Sequence, residues 1–301
     1  MRFLILLAAA LLAAAPRPAA ACSVDFQAKV PLQMVLNHLL VTVNINGTDV
    51  EMTLDTGAMR TLVTEETVKR LGLHLDEWRS TMMQGIGGYS RHRDAVLDSI
   101  ALAGRPMRRF GSAPDLDVAV SVLGETDVNG HHIAGILGAD YLSTVDIDLD
   151  VRGRTMSLYS VSGCSGAFIP WKGAFQRVPV DLARGRLVLM HARLDGNPVS
   201  AALDTGADDS VVGSVAAARG GVTPDVLSRD RAGVGTGVGA NTFTIHYHRF
   251  AELRLGDGVF PNTTLLVVDL PTAPFEMLIG LDFLRTRRAW ISYGTSQLFL
   301  Q

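Results

Sequence analysis

Leu54-Asp55-Thr56-Gly57-Ala58 occurs in the first half of the chain and returns as Leu203-Asp204-Thr205-Gly206-Ala207, 149 positions later. A single Asp-Thr-Gly is an ordinary strand-end turn. This one is informative because its surroundings repeat with it. Lys29-Val30-Pro31-Leu32 returns as Arg177-Val178-Pro179-Val180, and Asn46-Gly47 as Asp195-Gly196. Gly85-Ile86-Gly87 returns as Gly233-Val234-Gly235. Ile136-Leu137-Gly138 with Asp140-Tyr141-Leu142 returns as Leu278-Ile279-Gly280 with Asp282-Phe283-Leu284. Five anchors in one order mean that one lobe has been duplicated.

Working outward from each motif, the pattern is β-structure. Residues 39–45 and 50–54 are β-branched and apolar, and Asn46-Gly47 between them is a tight hairpin turn. Residues 187–194 and 199–203 repeat this around Asp195-Gly196. A short helix is expected after the first motif, with Thr64 as N-cap, Glu65 and Glu66 in its first turn and Gly72 at its end. Thirty glycines and twelve prolines among 301 residues fit many short strands and turns, and 48% hydrophobic residues supply a core. The fold class is therefore mainly β, with an N-terminal lobe over residues 28–160, a Gly/Ser-containing linker over 161–174 and a C-terminal lobe over 175–301.

The duplication brings chemistry with it. Two carboxylates pressed together cannot both ionise cheaply, so the pair shares a proton over a wide pH range. The ionised member can take a proton from water while the protonated one hydrogen-bonds a scissile carbonyl. Asp55 and Asp204 are the catalytic candidates. Thr56 and Thr205 can bond across to the opposite loop, and Gly57 and Gly206 allow tight backbone turns near a substrate. The mature chain resembles the aspartic proteases of the pepsin and retroviral type over nearly its whole length. The segment Leu203-Asp204-Thr205-Gly206-Ala207-Asp208-Asp209-Ser210 is similar to the retroviral active site, and the fused halves are similar to pepsin.

That resemblance implies a two-lobed acid-protease β-barrel fold, an endopeptidase activity and an interlocking contact between Thr56 and Thr205. It also implies glycine-rich hairpin flaps, placed at residues 84–93 (with Gly85 and Gly87) and 233–246 (with Gly233 and Gly235). Tyr89 is either a substrate-covering flap tyrosine or an ordinary exposed turn residue. Two departures stand out. Ala58 and Ala207 replace the Ser or Thr usual in pepsins, which removes a stabiliser of the ionised carboxylate and suggests a less extreme working pH. Asp208-Asp209 in the second half faces Met59-Arg60 in the first, so the two sides of the cleft differ and a directional substrate preference is expected.

Other readings carry less. The run Gly235-Thr236-Gly237-Val238-Gly239-Ala240 matches a dinucleotide fingerprint, yet the residues after it are strand-like where a helix is required. No His, Cys or carboxylate spacing suggests a metal, and no cofactor is expected. Residues 146–150 alternate Asp with apolar residues, and those carboxylates are expected to face solvent. The net charge of −3 gives no reason to expect nucleic acid as a partner. The expected partner is a polypeptide substrate, bound by a monomer, since one chain holds both halves of the site.

Residues 1–21 read as an export signal: Arg2, an apolar run, then Ala19-Ala20-Ala21. Export to a periplasmic or secreted location would permit a Cys22–Cys164 disulfide. The alternative is a lipoprotein anchored to the membrane through Cys22. A rival for the function as a whole is a non-catalytic peptide-binding or scaffold protein on the same fold.

Overall fold

A computed structural model describes residues 21–85, 88–111, 116–121, 127–183, 186–236, 242–270 and 274–301. The expected signal segment, apart from Ala21, lies outside them, as does Gly87.

Each half begins the same way. In the first, Ser23–Val35 turns back into His38–Ile45, and Asn46-Gly47 leads into Thr48–Leu54. Asn46 and Gly47 both have positive φ (49° and 83°), as do Asp195 and Gly196 (47° and 80°), the conformation of a two-residue hairpin turn. The short helix Glu65–Leu71 follows, its first turn capped by the Thr64 side chain on the Thr67 amide and its end closed by Gly72 at φ 61°. In the second half Val188–Leu194, Asn197–Leu203 and the helix Ser214–Arg219 take the equivalent places.

The element that positions the site is a strand threaded between the two sides of each Asp-Thr-Gly loop. His131–Leu137 runs parallel to Thr48–Leu54, with Leu137 opposite Leu54, and antiparallel to Leu62–Thr64. Met277–Ile279 does the same between Asn197–Leu203 and Val211–Gly213, with Ile279 opposite Leu203. Leu62–Thr64, Val211–Gly213 and Met277–Ile279 are buried on both faces, as central strands are.

The lobes are joined by a six-stranded antiparallel sheet with three strands from each. From one edge the order is Ser23–Val35, Thr155–Ser162, Asp146–Asp150, Arg288–Ser292, Gln297–Leu300 and Gln176–Leu182. Asp148 pairs with Trp290 at its centre. This corrects the expected solvent face of residues 146–150. Asp146 and Asp148 are buried: Asp148 accepts from Arg288 Nε (2.8 Å), Arg288 Nη2 (2.6 Å) and Trp171 Nε1 (3.3 Å), and Asp146 from Trp290 Nε1 (3.3 Å). Ile147 and Leu149 face the main core, while Trp171, Trp290, Phe299 and Ile169 form a second cluster. Alternation marks a solvent face only when one side of the strand is bare, and here both are covered.

The segment between the lobes is packed. Val161 and Ser162 still pair with Val24 and Ser23, and Ile169 and Trp171 are buried against the interlobe aromatic cluster.

Candidate active site

The strand Thr48–Leu54 ends at Asp55, whose amide donates to Leu137 O (3.1 Å); Asn197–Leu203 ends at Asp204, whose amide donates to Ile279 O (2.9 Å). The threaded strand therefore holds each loop by the residue that carries the acid. Asp55 Oδ1 accepts from the Gly57 and Ala58 amides, both at 2.8 Å. Asp204 Oδ1 accepts from Gly206 (2.8 Å) and Ala207 (3.1 Å). The two carboxyls come together across the lobe boundary, each packed against the glycine of the opposite loop.

The threonines lock the loops reciprocally. Thr56 N donates to Thr205 Oγ1 (3.0 Å), and Thr205 N to Thr56 Oγ1 (3.1 Å). Each hydroxyl in turn donates to the carbonyl preceding the opposite aspartate, Leu203 O at 2.9 Å and Leu54 O at 2.7 Å. Four bonds between fully buried residues fix the carboxyl separation.

Gly57 and Gly206 serve a purpose that the sequence reading did not assign. Neither has positive φ, so turn geometry does not demand glycine. A Cβ on Gly57 would lie 2.3 Å from Asp204 Cγ, and one on Gly206 would lie 2.3 Å from Asp55 Oδ2. Each glycine makes room for the carboxyl of the other lobe.

Electrostatics follow from this closeness. Burial pushes Asp55 well above the ordinary carboxylate range, and the Asp204 charge beside it pushes further. Burial also raises Asp204, against the pull of the loop amides. The site can hold one proton between two acids, which is the condition for one to act as base and the other as acid.

Behind each loop lies the aliphatic-Gly element, and with it a hydroxyl–carboxylate pair to which the sequence reading gave no role. Asp140 Oδ1 accepts from Thr61 N (2.8 Å) and Thr61 Oγ1 (2.7 Å), and Gly138 N donates to Thr61 Oγ1 (2.9 Å). Asp282, Ser210 and Gly280 repeat this at 2.9, 2.6 and 2.9 Å. Gly138 and Gly280 have no room for a Cβ: Ala58 O and Ala207 O would each stand 2.8 Å from one. The signal was in the repeat, which aligns Thr61 with Ser210 and Asp140 with Asp282.

The remaining candidates fall in several places. Gly85 ends the strand His74–Gly85 opposite Gly88, and Tyr89 lies on Gly88–Leu97. Gly233 and Gly235 lie inside Arg231–Thr236, opposite Ile245 and Phe243. Gly85 is thus the last residue of its strand, whereas Gly233 and Gly235 lie within theirs. A Cβ on Gly235 would come 2.6 Å from the Phe243 ring, so this glycine makes room for a cross-strand aromatic. Asp208 is near Asn37, His38 and Arg285, and burial raises its pKa. Asp209 is exposed, beside Asp282 and Asp208. Cys22 and Cys164 are joined in a disulfide. Among the described residues no group of His, Cys, Asp or Glu is arranged to hold a metal ion.

Comparison with known proteins agrees with this geometry. A family model described as aspartyl protease matches residues 41–141, and a second, described as "gag-polyprotein putative aspartyl protease", matches residues 190–286. Each covers one Asp-Thr-Gly loop and its threaded strand. The chain is a pepsin/retropepsin-type aspartic protease by family. DNA damage-inducible protein 1 of Kluyveromyces lactis is 29% identical over 125 residues, which is 42% of this chain and 29% of that protein. Protein DNA-DAMAGE INDUCIBLE 1 of Arabidopsis thaliana is 27% identical over 121 residues, 40% of this chain and 28% of its own length. The match thus spans less than a third of these relatives. The crystal structure of aspartic proteinase from Irpex lacteus covers 93% of this chain and 97% of its own at a TM-score of 0.52 and 12% identity. That likeness extends the two-lobed aspartic-protease fold over both halves.

Proposed function

We propose that this aspartic protease is a catalytically competent endopeptidase that hydrolyses peptide bonds with water activated between Asp55 and Asp204. The observation that carries the reading is the meeting of two carboxyls over glycines that leave no room for a Cβ. In the shared-proton state, the ionised carboxyl takes a proton from water as the water attacks the scissile carbonyl. The protonated carboxyl donates to the developing oxyanion, and a proton passes to the leaving amine as the tetrahedral intermediate collapses. The substrate lies extended between the hairpins His74–Gly85/Gly88–Leu97 and Arg231–Thr236/Thr242–Leu255, pairing as an added strand. A small apolar cluster next to the Asp204 loop supports a preference for apolar side chains. Ala202, two residues before Asp204, clusters with Val211, Leu278 and Ile245 apart from the main core.

Ala58 and Ala207 offer their aspartates amides but no hydroxyl, which supports a working pH less extreme than that of pepsins. The disulfide supports a non-reducing location, and with the apolar N-terminus it favours export to a periplasmic or extracellular space. A thiol held in a disulfide is not available for lipid attachment, which weighs against anchoring through Cys22.

The test is incubation of residues 22–301 with unfolded protein at several pH values, beside Asp55→Asn and Asp204→Asn. Cleavage by the parent, reduced at least a thousandfold in both variants, is expected; about 4 kcal/mol of transition-state stabilisation corresponds to such a loss. A folded parent that binds peptides and cuts none would favour a binding or scaffold protein.

A further inference from the structure

The two halves of the site differ at one position in a way that bears on how the site is held. Arg60, five residues after Asp55, is paired with three carboxylates. Its Nη1 is 3.1 Å from Asp140 Oδ2, and its Nη2 is 2.9 Å from Asp117 Oδ2 and 3.3 Å from Asp94 Oδ2. All three acids are buried. Arg109 is 3.0 Å from the other oxygen of Asp117, and Tyr141 Oη donates to the Asp117 carbonyl (3.3 Å).

The far oxygens of two of these acids reach different parts of the site. Asp140 Oδ1 holds Thr61, and through it Gly138, against the Asp55 loop. Asp94 Oδ1 accepts from Thr81 Oγ1 (2.8 Å), and Thr81 and Asp94 are on the two strands of the hairpin His74–Gly85/Gly88–Leu97. One guanidinium therefore stands between the loop that carries the acid and the hairpin expected to close over substrate. In the second half the support pair Asp282–Ser210 is retained, but the place of Arg60 is taken by Asp209, an exposed residue of opposite charge.

We propose that Arg60 is a positioning residue that couples the N-terminal hairpin to the Asp55 loop through Asp94 and Asp140, so that substrate engaging this hairpin also sets the N-terminal half of the dyad. The C-terminal half has no cation at the equivalent position, so the directional preference of the cleft originates on the Arg60 side. A planar fork can serve three carboxylates at once, which a lysine ammonium cannot do in the same geometry. The kinetic part of this inference rests on the proteolytic reading; the mechanical part does not.

The experiment compares the parent with Arg60→Gln, Arg60→Lys and Thr81→Val by native-state amide exchange and by steady-state cleavage of a peptide. In Arg60→Gln, exchange is expected to speed by roughly tenfold in both segments, the amides of residues 57–61 and the hairpin strands. Thr81→Val, which cuts only the hairpin link, should speed exchange in the hairpin alone. For cleavage, Arg60→Gln should lower kcat on the order of tenfold to a hundredfold, as small misplacements of catalytic groups do. Arg60→Lys should fall between, and Thr81→Val should raise KM with kcat little changed. If Arg60→Gln does not fold, Arg60→Lys is read by the same two segments. Exchange that changes in neither segment, or in only one, in the Arg60 variants overturns the proposal. A parent that shows the coupled exchange and cleaves nothing would instead sink the proteolytic reading and leave the coupling standing.

Discussion

Gly206 illustrates how a residue's role can be invisible until the opposite lobe is in place. Its φ is ordinary, so alanine would be tolerated by its own loop, yet the added methyl would lie 2.3 Å from Asp55 Oδ2. Gly206→Ala is therefore expected to fold with its lobes displaced at the dyad and to lose activity by on the order of a hundredfold. Cleavage rates set beside a circular dichroism spectrum would check this; wild-type activity would show that the carboxyls are not held so close. Asp204 carries a stability cost as well. Its pKa is raised by burial, so the folded state favours the protonated form, and the stability this contributes is lost as pH rises through the raised value. Asp204→Asn should thus melt above the parent near pH 7. The gain should vanish at pH about 3, below the ordinary carboxylate pKa. Thermal melts at the two pH values decide it.

Among the elements, the segment between the lobes shows the clearest gap between composition and role. It contains glycines and serines, yet Trp171 within it is buried, with its ring 6.3 Å from that of Trp290 and its Nε1 donating to Asp148. Trp171→Ala should cost about 3–5 kcal/mol, the range for a large core aromatic, and leave Asp148 with one donor fewer. Urea unfolding measures it, and a cost under about 1 kcal/mol would show that this packing contributes little. The active-site elements show the reverse case. Thr48–Leu54 and Asn197–Leu203 were legible from apolar content and their Asn-Gly and Asp-Gly turns, because local propensity and tertiary placement agree there. The hairpin glycines were placed by the repeat, but their use was not: Gly85 ends a strand, and Gly235 makes room for the ring of Phe243.

For the whole molecule, the six-stranded sheet makes the lobes interdependent. Neither half alone can satisfy the strand edge that Asp146–Asp150 and Arg288–Ser292 provide for one another. The disulfide closes a 142-residue separation and pins the first strand of that sheet to the start of the interlobe segment. Replacing both cysteines by serine should lower stability by about 2–4 kcal/mol while leaving the dyad assembled, since the strand pairing and the threonine bonds remain. Chemical denaturation with a parallel activity assay would test both parts; loss of activity in a folded variant would show that the bridge also positions the site.

The duplication, the mainly β class, the two acids and their threonines were readable from the sequence because they are local patterns repeated at one spacing. Register, turn chemistry and motif all depend on neighbours in the chain. What the tertiary structure alone decided involves residues that meet across the lobes or across a sheet: the reason for Gly57 and Gly206, the burial of Asp146 and Asp148, the packing of Trp171 and the partners of Arg60. A carboxylate in a sequence does not show whether water or a guanidinium will face it. Close packing settles that only when distant segments are brought to the same place.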